Sequence, residues 1–162
     1  MIRFVRIRDS DLPIARQIYD YYSLHSTATF RNEPVSPEEF RKSVETISSV
    51  YPSFLIKKDA AIVGYCGIHR CHHRNAYDQS AKVILYLKQE HNGKGIGKSA
   101  LGYLEAHAHR SGIRVLIAII TGENVQSREL FESQDYVQCG HIRNIGELSG
   151  HLPDVVIYQK EL

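Results

Sequence analysis

The sequence predicts a mixed α/β fold, in which a sheet of about seven strands carries helices on both faces. Along the chain, short runs rich in aliphatic residues alternate with stretches that have apolar residues every three or four positions. The segment 113–120 is almost unbroken aliphatic, as expected of a central strand covered on both faces. Ser36–Glu39 form a helix-capping box with proline at the first helical position.

Seven strands are predicted, and the second and third form a hairpin about Lys58 and Asp59. Each is an aliphatic-rich run bounded by polar or turn-forming residues. The predicted strands lie at 2–7, 54–57, 61–68, 82–88, 113–120, 136–143 and 154–159.

Four helices are predicted between the strands. The first opens at Ser10–Pro13, and its apolar face is formed by Leu12, Ala15, Ile18, Tyr19 and Tyr22. The second follows the capping box and should carry Phe40, Val44 and Ile47. The third runs from Gly95 to Arg110, with a buried face of Ile96, Ala100, Leu101, Leu104 and Ala108. The fourth is short, from Asn124 to Ser133.

Length and composition bound the class of protein. The chain has 162 residues, 43% of them hydrophobic, which is enough for one domain, 1–162, with a substantial core. The net charge of +2 does not point to nucleic acid as a partner. The sequence has no long apolar run and no N-terminal secretion signal, and its three cysteines are an odd number. These features predict a cytoplasmic protein with reduced thiols and no membrane span.

A group of histidines, at 69, 72 and 73, lies near Cys66 and Cys71 and invites comparison with a metal site. Adjacent histidines on an extended strand point to opposite faces, so they do not converge on one ion. We therefore expect a polar strand end here, and no metal.

The most informative segment joins the strand at 82–88 to the third helix. Its glycines alternate with other residues and leave main-chain amides open to a ligand; they are Gly93, Gly95 and Gly97. The unpaired N–H groups of the following helix point into the same turn, and Lys94 and Lys98 add positive charge. The segment therefore predicts a phosphate-binding site.

Three kinds of phosphate loop, and a plain turn, are compatible with glycines before a helix. A P-loop would need glycine where Asn92 stands and an acidic magnesium ligand after the next strand. A dinucleotide-binding loop matches Gly95–Ala100, with Glu123 as the ribose carboxylate, but about seven residues separate that match from the strand, too many for its tight turn. A diphosphate cradle of the pattern Gln/Arg-x-x-Gly-x-Gly/Ala matches Asn92–Gly97, with asparagine at the first position.

The chain resembles the Gcn5-related N-acetyltransferases, and among them the phosphinothricin and methionine sulfoximine acetyltransferases. The matching segments extend over nearly the whole chain, and their order and spacing around the glycine loop make the resemblance specific. They are 18–19, 28–30, 33–34, 83–101, 122–127, 135–136, Gly140, Gly146, Gly150 and Asp154.

The resemblance implies a sheet that splays open beside the glycine loop, with acetyl-coenzyme A (acetyl-CoA) as cofactor in the gap. The diphosphate would take the loop amides, and the pantetheine arm would pair like an extra strand with Leu85 and Leu87. Asn124, which also reads as a helix N-cap, would contact the pantetheine or thioester region. The cofactor-binding residues so implied are Leu85, Tyr86, Leu87, Asn92, Gly93, Lys94, Gly95, Ile96, Gly97, Lys98, Asn124 and Ser127.

The acceptor side departs from the family pattern. Close relatives carry a catalytic glutamate on the strand before the loop, where this chain has Lys82. A charged lysine cannot accept a proton, but it can hold a carboxylate or phosphinate of the acceptor. Phe131 replaces a histidine or tyrosine near the sulfur, and residues 150–153 lack an arginine–tryptophan pair that many relatives have.

The replacement for the missing base is therefore open at this stage. Glu33 is the first candidate, and Asp154 and His151 near the far wall of the acceptor pocket are others. His73 or Tyr77 could act through a water, and attack in bulk water without a dedicated base is a further alternative. The oxyanion would be stabilised by a backbone N–H near Tyr86 or Leu87. The predicted substrate residues are Phe30, Glu33, Tyr77, Lys82 and Asp154, with His151 near the far wall of the acceptor pocket.

The function so implied is transfer of an acetyl group from acetyl-CoA to the amine of a small polar acceptor, an amino acid or a phosphinothricin-like analogue. The amine attacks directly, through a tetrahedral intermediate. The alternatives are an acyl-CoA-binding module with little catalysis and, less well supported, a P-loop-like nucleotide binder. The expected partners are the amine substrate and, by family analogy, a second copy of the chain, but neither nucleic acid nor membrane.

Overall fold

Seven strands and four α-helices make up the fold in a computed structural model that describes residues 1–44 and 46–162. The strands are β1 (Ile2–Arg6), β2 (Ser53–Lys58), β3 (Ala61–Arg70), β4 (Ser80–Leu87), β5 (Val115–Thr121), β6 (Val137–Ile142) and β7 (Val155–Glu161). The helices are α1 (Leu12–His25), α2 (Pro37–Ser43), α3 (Ile96–Arg110) and α4 (Val125–Glu132). Short 3-10 turns lie at Asp9–Asp11, Asn75–Tyr77 and Gln89–His91. The predicted number and order of elements are confirmed.

All seven strands form one sheet, in the order β1-β2-β3-β4-β5-β7-β6. The pair β4–β5 is parallel, with α3 as its crossover, and the other neighbouring pairs are antiparallel. The mixed α/β class predicted from the sequence is therefore correct.

Two apolar clusters lie on opposite faces of the sheet. On one face α1 and α2 pack on β2 and β3, through residues such as Ile18, Phe40 and Tyr65. On the other face α3 and α4 pack on the inner strands, and the five apolar residues predicted for α3 are all buried there. Burying apolar surface on both faces holds the sheet between two layers of helices.

Strands β4 and β5 part soon after they meet. Their pairing is confined to Ser80–Val115, Ala81–Leu116 and Lys82–Ile117. Beyond Lys82 and Ile117 the two strands diverge, and the gap between them opens beside the loop that leads into α3. The splay implied by the resemblance is thus present, and it begins at Lys82.

Two sequence predictions about packing were wrong. Helix α2 ends at Ser43: the β-branched Val44 is extended, with φ −117° and ψ 111°, and Ile47 lies outside the helix, 89% exposed. Strand β5 is not covered on both faces. Leu116, Ala118 and Ile120 are buried, but Ile119 is 54% exposed, because α1 and α2 stop short of this part of the sheet.

Among the described residues, no helix combines the length and the apolar character needed to cross a membrane.

Candidate active site

The gap between β4 and β5 forms a cleft with a volume of about 380 Å³. Residues 83–87 of β4 line one wall, and residues 118–120 of β5 line the other. The loop before α3 closes one end, and α4 provides part of the floor through Ser127, Leu130 and Phe131. Ala28, from the loop after α1, also lies at this cleft.

The exposed edge of β4 can pair with an extended ligand. Just beyond the strand, the N–H of Lys88 donates to the carbonyl of Val63 at 2.8 Å. Main-chain groups alternate in direction along a strand, so every second residue back from Lys88, Tyr86 among them, directs its N–H and C=O at β3. The intervening residues, Val83, Leu85 and Leu87, direct theirs into the gap. The N–H of Tyr86 therefore faces β3, and of the two expected oxyanion donors it is Leu87 that faces the cleft.

The loop before α3 has the shape of a cradle for phosphate. Gly93 and Gly95 have φ of +71° and +79°, a conformation that favours glycine. A Cβ atom built on either residue would meet no atom within 4 Å, so the space beside both is open. Gly95 is also the N-cap of α3 and has no side chain to occupy the first-turn amides.

The amides of this cradle are available to a ligand. From Gly93 to Lys98, the main-chain N–H groups donate no hydrogen bond to the described part of the chain. Anions bind at such helix N-termini because the N–H groups and the helix dipole point at them. Lys98 is among the residues that line the cleft, whereas the side chain of Ile96 is buried in the core at 1% exposure, which leaves Ile96 only its main-chain N–H to offer. The donors present therefore fit a diphosphate.

Tyr22 reaches across the mouth of the cleft from α1, a contact that the sequence did not reveal. Its hydroxyl donates to the carbonyl of Leu87 and accepts the side-chain amide of Asn92 at 3.2 Å. Burial raises the pKa of the Tyr22 phenol, so it remains a neutral donor. Tyr22 thus links α1, the end of β4 and the first residue of the cradle.

Asn124 and Phe131 occupy the α4 side of the cleft. The Asn124 side chain accepts the N–H of Ser127 at 3.2 Å, which confirms the N-cap interpretation. The NH₂ group of Asn124 remains as a donor at the cleft wall. The Phe131 ring is buried against Tyr136, with ring centroids 4.9 Å apart, and has no proton to offer to a leaving sulfur.

Of the predicted cofactor residues, ten line the cleft: Leu85, Tyr86, Leu87, Asn92, Gly93, Gly95, Gly97, Lys98, Asn124 and Ser127. The structure thus brings this predicted set together around one cavity. The side chains of Lys94 and Ile96 lie outside it.

The predicted substrate residues are less well gathered. Lys82 is the last residue of β4 that pairs with β5, at the point where the cleft begins. Glu33 is exposed in the loop after α1, and Tyr77 is 46% exposed on a 3-10 turn, with its ring 5.0 Å from that of His72. None of the three is among the residues that line the cleft, although Lys82 directly precedes the lining residue Val83.

Phe30 and Asp154 organise the loop between β6 and β7. Phe30 has a left-handed backbone with φ +57°, and its ring covers Gly146 so closely that a Cβ there would come within 2.2 Å of it. Asp154 accepts the N–H of Asn144 at 2.8 Å and binds His141 at 2.7 Å. These contacts hold the pKa of Asp154 below its usual range, the Asn144 hydrogen bond first.

A second carboxylate, Glu123, lies directly after β5 and beside Asn124. The Thr27 hydroxyl donates to its Oε1 at 2.5 Å, and His151 Nε2 lies 3.0 Å from its Oε2. The Thr27 hydrogen bond and then the His151 contact lower the pKa of Glu123. Sequence reasoning missed this arrangement, because the three residues come from three separate loops.

Comparison with known proteins agrees with this geometry. The family model described as acetyltransferase (GNAT) family matches residues 16–136. The phosphinothricin N-acetyltransferase of Streptomyces viridochromogenes is 27% identical over 154 residues, which cover 94% of this chain and 83% of that protein. The L-methionine sulfoximine/L-methionine sulfone acetyltransferase of Salmonella typhimurium is 23% identical over 160 residues, which cover 98% of this chain and 94% of that protein.

Solved structures share the fold over the full length. The crystal structure of a phosphinothricin acetyltransferase from Sinorhizobium meliloti, in complex with acetyl-CoA, superimposes with a TM-score of 0.88 at 27% identity. The match covers 100% of this chain and 88% of that one. A family model that spans most of the chain also removes the P-loop alternative. The chain therefore belongs to the acetyltransferase (GNAT) family, and it is an acetyl-CoA-dependent N-acetyltransferase.

Proposed function

We propose that this enzyme acetylates the primary amine of a small acceptor that also carries an acidic group, an amino acid or amino-acid analogue. The main support is the placement of Lys82 where β4 and β5 part, at the opposite end of the cleft wall from the phosphate cradle. Relatives described above bear the names of phosphinothricin and methionine sulfoximine acetyltransferases, and both of those acceptors are amino-acid analogues.

The cofactor is assigned to the cleft by the donors that line it. We assign the diphosphate to the free amides of residues 93–98 and to the charge of Lys98. The main-chain groups of Leu85 would pair with the pantetheine, and the cleft-facing N–H of Leu87 would polarise the acetyl carbonyl. When bound, acetyl-CoA supplies the acetyl group as an activated thioester.

Lys82 is assigned to acceptor binding rather than to proton transfer. As an ammonium it has three donors and no acceptor, so it can hold a carboxylate or phosphinate but cannot take a proton. Phe131 likewise has no proton for the leaving group. A thiol with an ordinary pKa of about 8.5 leaves as thiolate without being protonated, so the reaction tolerates phenylalanine at position 131.

A thiol-release assay across a panel of amines tests the proposal, with calorimetry of coenzyme A binding in parallel. The panel contains amino acids, phosphinothricin, methionine sulfoximine and polyamines. We expect coenzyme A to bind and turnover to be fastest with the amino-acid-like acceptors. Cofactor binding without turnover on any amine would favour the alternative of an acyl-CoA-binding module, and faster turnover of polyamines would overturn the acceptor class.

We further infer that the enzyme is a homodimer, because part of the sheet is not covered by any of the described helices. By register, side chains on one face of β5, β7 and β6 form an apolar surface made of Ile119, Val137, Ile142, Val155 and Ile157. Val137 is 66% and Ile142 43% exposed. An apolar surface of this kind marks a protein interface. We expect a dimer mass in analytical ultracentrifugation and a monomer for Val137→Lys; a wild-type monomer would refute the inference.

We also place the enzyme in the cytoplasm, in keeping with its three free cysteines, Cys66, Cys71 and Cys139.

A further inference from the structure

A histidine held by a carboxylate lies at the edge of the cleft. Glu123 precedes Asn124, and its partner Thr27 precedes Ala28; both following residues line the cleft. His151 approaches the same carboxylate from the loop between β6 and β7. The pair therefore lies where three loops meet, one residue away from cleft-lining residues on two of them.

The geometry leaves one nitrogen of His151 free to act as a base. Glu123 is fixed at both oxygens, by the Thr27 hydroxyl at 2.5 Å and by His151 Nε2 at 3.0 Å. An ionised carboxylate accepts a hydrogen bond, so the proton of a neutral His151 is on Nε2 and Nδ1 carries the lone pair. The His151 side chain is 56% exposed, which leaves Nδ1 accessible to a small molecule.

The main chain of His151 is also held in place. Its N–H donates to the carbonyl of Leu148 at 3.0 Å, and its carbonyl accepts the N–H of Leu148 at 2.8 Å. Gly150, with φ +84°, makes the preceding turn and donates its N–H to Glu147 Oε1 at 2.6 Å. A base whose main chain is fixed and whose ring is oriented by a third group has the arrangement found in catalytic histidine pairs.

The usual position for the base offers no alternative in this chain. Lys82 cannot accept a proton while it is charged. Glu129 is the one carboxylate among the described residues that line the cleft, and it lies on α4 beside Leu130, which packs against Gly97 of the cradle. That places Glu129 beside the cradle, whereas Glu123 and His151 lie beside Asn124 and near Ala28 at the edge of the cleft.

We propose that His151, oriented by Glu123, is the general base that takes the proton from the acceptor's ammonium. This inference rests on the proposed function. The first proton moves from the nitrogen to His151 Nδ1 and is later released to solvent. The nitrogen lone pair then forms the N–C bond to the acetyl carbon, the C–S bond breaks, and a second proton from the nitrogen ends on the sulfur.

The charged and titratable groups on the surrounding elements come from three loops and β6. The carboxylates are Glu123, Glu147, Asp154 and Glu33, and the others are His141, Arg143 just after β6, and Arg31; the loop of Arg31 and Glu33 contacts the His151 loop through Asn32 and Ser149 at 3.0 Å. His141 and Asp154 form a second histidine–carboxylate pair at 2.7 Å, which provides a matched control.

The test compares His151→Gln, Glu123→Gln and the control His141→Gln with the wild type. Each enzyme is assayed with an alkylamine, whose pKa is about 10.4, and with an amino acid amide, whose α-amine has a pKa of about 7.8. We expect His151→Gln to lower kcat/KM for the alkylamine about 100-fold and for the amide less than about 3-fold, since a base contributes ~10²–10⁴. His141→Gln should match the wild type. Each ratio compares one acceptor in two enzymes, so differences in acceptor binding cancel.

Two further readouts separate base catalysis from a structural role. Calorimetry should give the same coenzyme A affinity for His151→Gln as for the wild type. In the free protein, long-range ¹⁵N–¹H spectra should show the Nε2–H tautomer of His151, and Glu123→Gln should change it. Equal losses for both acceptors, or an unchanged pH profile in His151→Gln, would overturn the proposal while the acetyltransferase activity stands. A wild type that acetylates no amine would overturn the proposed function as well.

Discussion

Replacing Gly95 with glutamate should abolish cofactor binding without unfolding the protein. Gly95 has φ +79°, and a Cβ atom there would point into open space within the cradle. A side chain in this left-handed conformation costs about 1–2 kcal/mol of stability. For a domain of this size, each 1 kcal/mol lowers Tm by about 2–4 °C. The loss of affinity should be much larger than this loss of stability.

The affinity loss follows from charge and space. A carboxylate about 4 Å from a phosphate charge is repelled by about 4 kcal/mol at an effective dielectric constant near 20. That energy corresponds to a roughly thousand-fold weaker Kd, before any steric overlap is counted. Because salt screens exposed charges, the loss should shrink as ionic strength rises.

Gly112 provides a matched control for this experiment. It follows α3 with φ +81°, and a Cβ atom there also meets nothing within 4 Å, but it is not among the residues that line the cleft. Gly112→Glu should therefore lose a similar amount of stability and retain the wild-type affinity for coenzyme A. Calorimetry and thermal unfolding of both variants make the comparison. If Gly95→Glu folds and still binds coenzyme A within a few-fold of the wild type, the cradle is not the diphosphate site.

Three other substitutions test separate contacts. Lys82→Glu should lower kcat/KM for carboxylate-bearing amines at least about ten-fold relative to amines without that group, because residue 82 would then repel the acceptor's carboxylate instead of attracting it. An unchanged acceptor profile would show that Lys82 is not part of the acceptor site. Tyr22→Phe leaves the Leu87 carbonyl and the Asn92 amide without their partner, and urea unfolding should detect a loss of about 1 kcal/mol. Asp154→Asn should destabilise the protein at neutral pH. The folded pKa of Asp154 is lowered, so its contribution is present above the ordinary carboxyl pKa and is lost as pH falls through the folded value. The stability gap to the wild type should therefore close in acid, and a constant gap would contradict this account.

The sequence predicted the elements well because their periodicity is strong. In α3, apolar residues recur at helical spacing, and all five of the residues predicted to be buried are buried. The end of α2 was predicted wrongly because Val44 and Ile47 continue the helical spacing of apolar residues, whereas the helix itself ends at Ser43. The exposure of Ile119 was missed for a different reason. An aliphatic run indicates a buried strand, but it does not indicate where that strand separates from its neighbour and leaves side chains exposed.

The cofactor side of the site was predictable and the acceptor side was not. The cradle is one continuous segment, so its glycines and lysines can be recognised without the fold. The contacts of Glu123 with Thr27 and His151 join residues 96 and 28 positions apart, and nothing in the local sequence of any one loop indicates the other two. Tyr22 was placed on the apolar face of α1, but its hydroxyl contact with Leu87 depends on the register of the folded sheet.

If Lys82 occupies the position of the family's glutamate, as the resemblance implies, it should limit which amines this enzyme can use. An alkyl ammonium with a pKa near 10.4 is neutral in only about one molecule in a thousand at pH 7.4, a cost of roughly 4 kcal/mol. The α-amine of a peptide or an amino acid amide, with a pKa near 7.8, loses well under ~1 kcal/mol. Without a base, Lys82 would restrict the enzyme to amines of the second kind, and its charge would further disfavour an incoming ammonium. With His151 as base, the restriction falls only on acceptors that lack a negative group for Lys82 to bind. The dependence of rate on acceptor pKa therefore reports on the base, and the dependence on acceptor charge reports on Lys82, so the two roles can be measured independently.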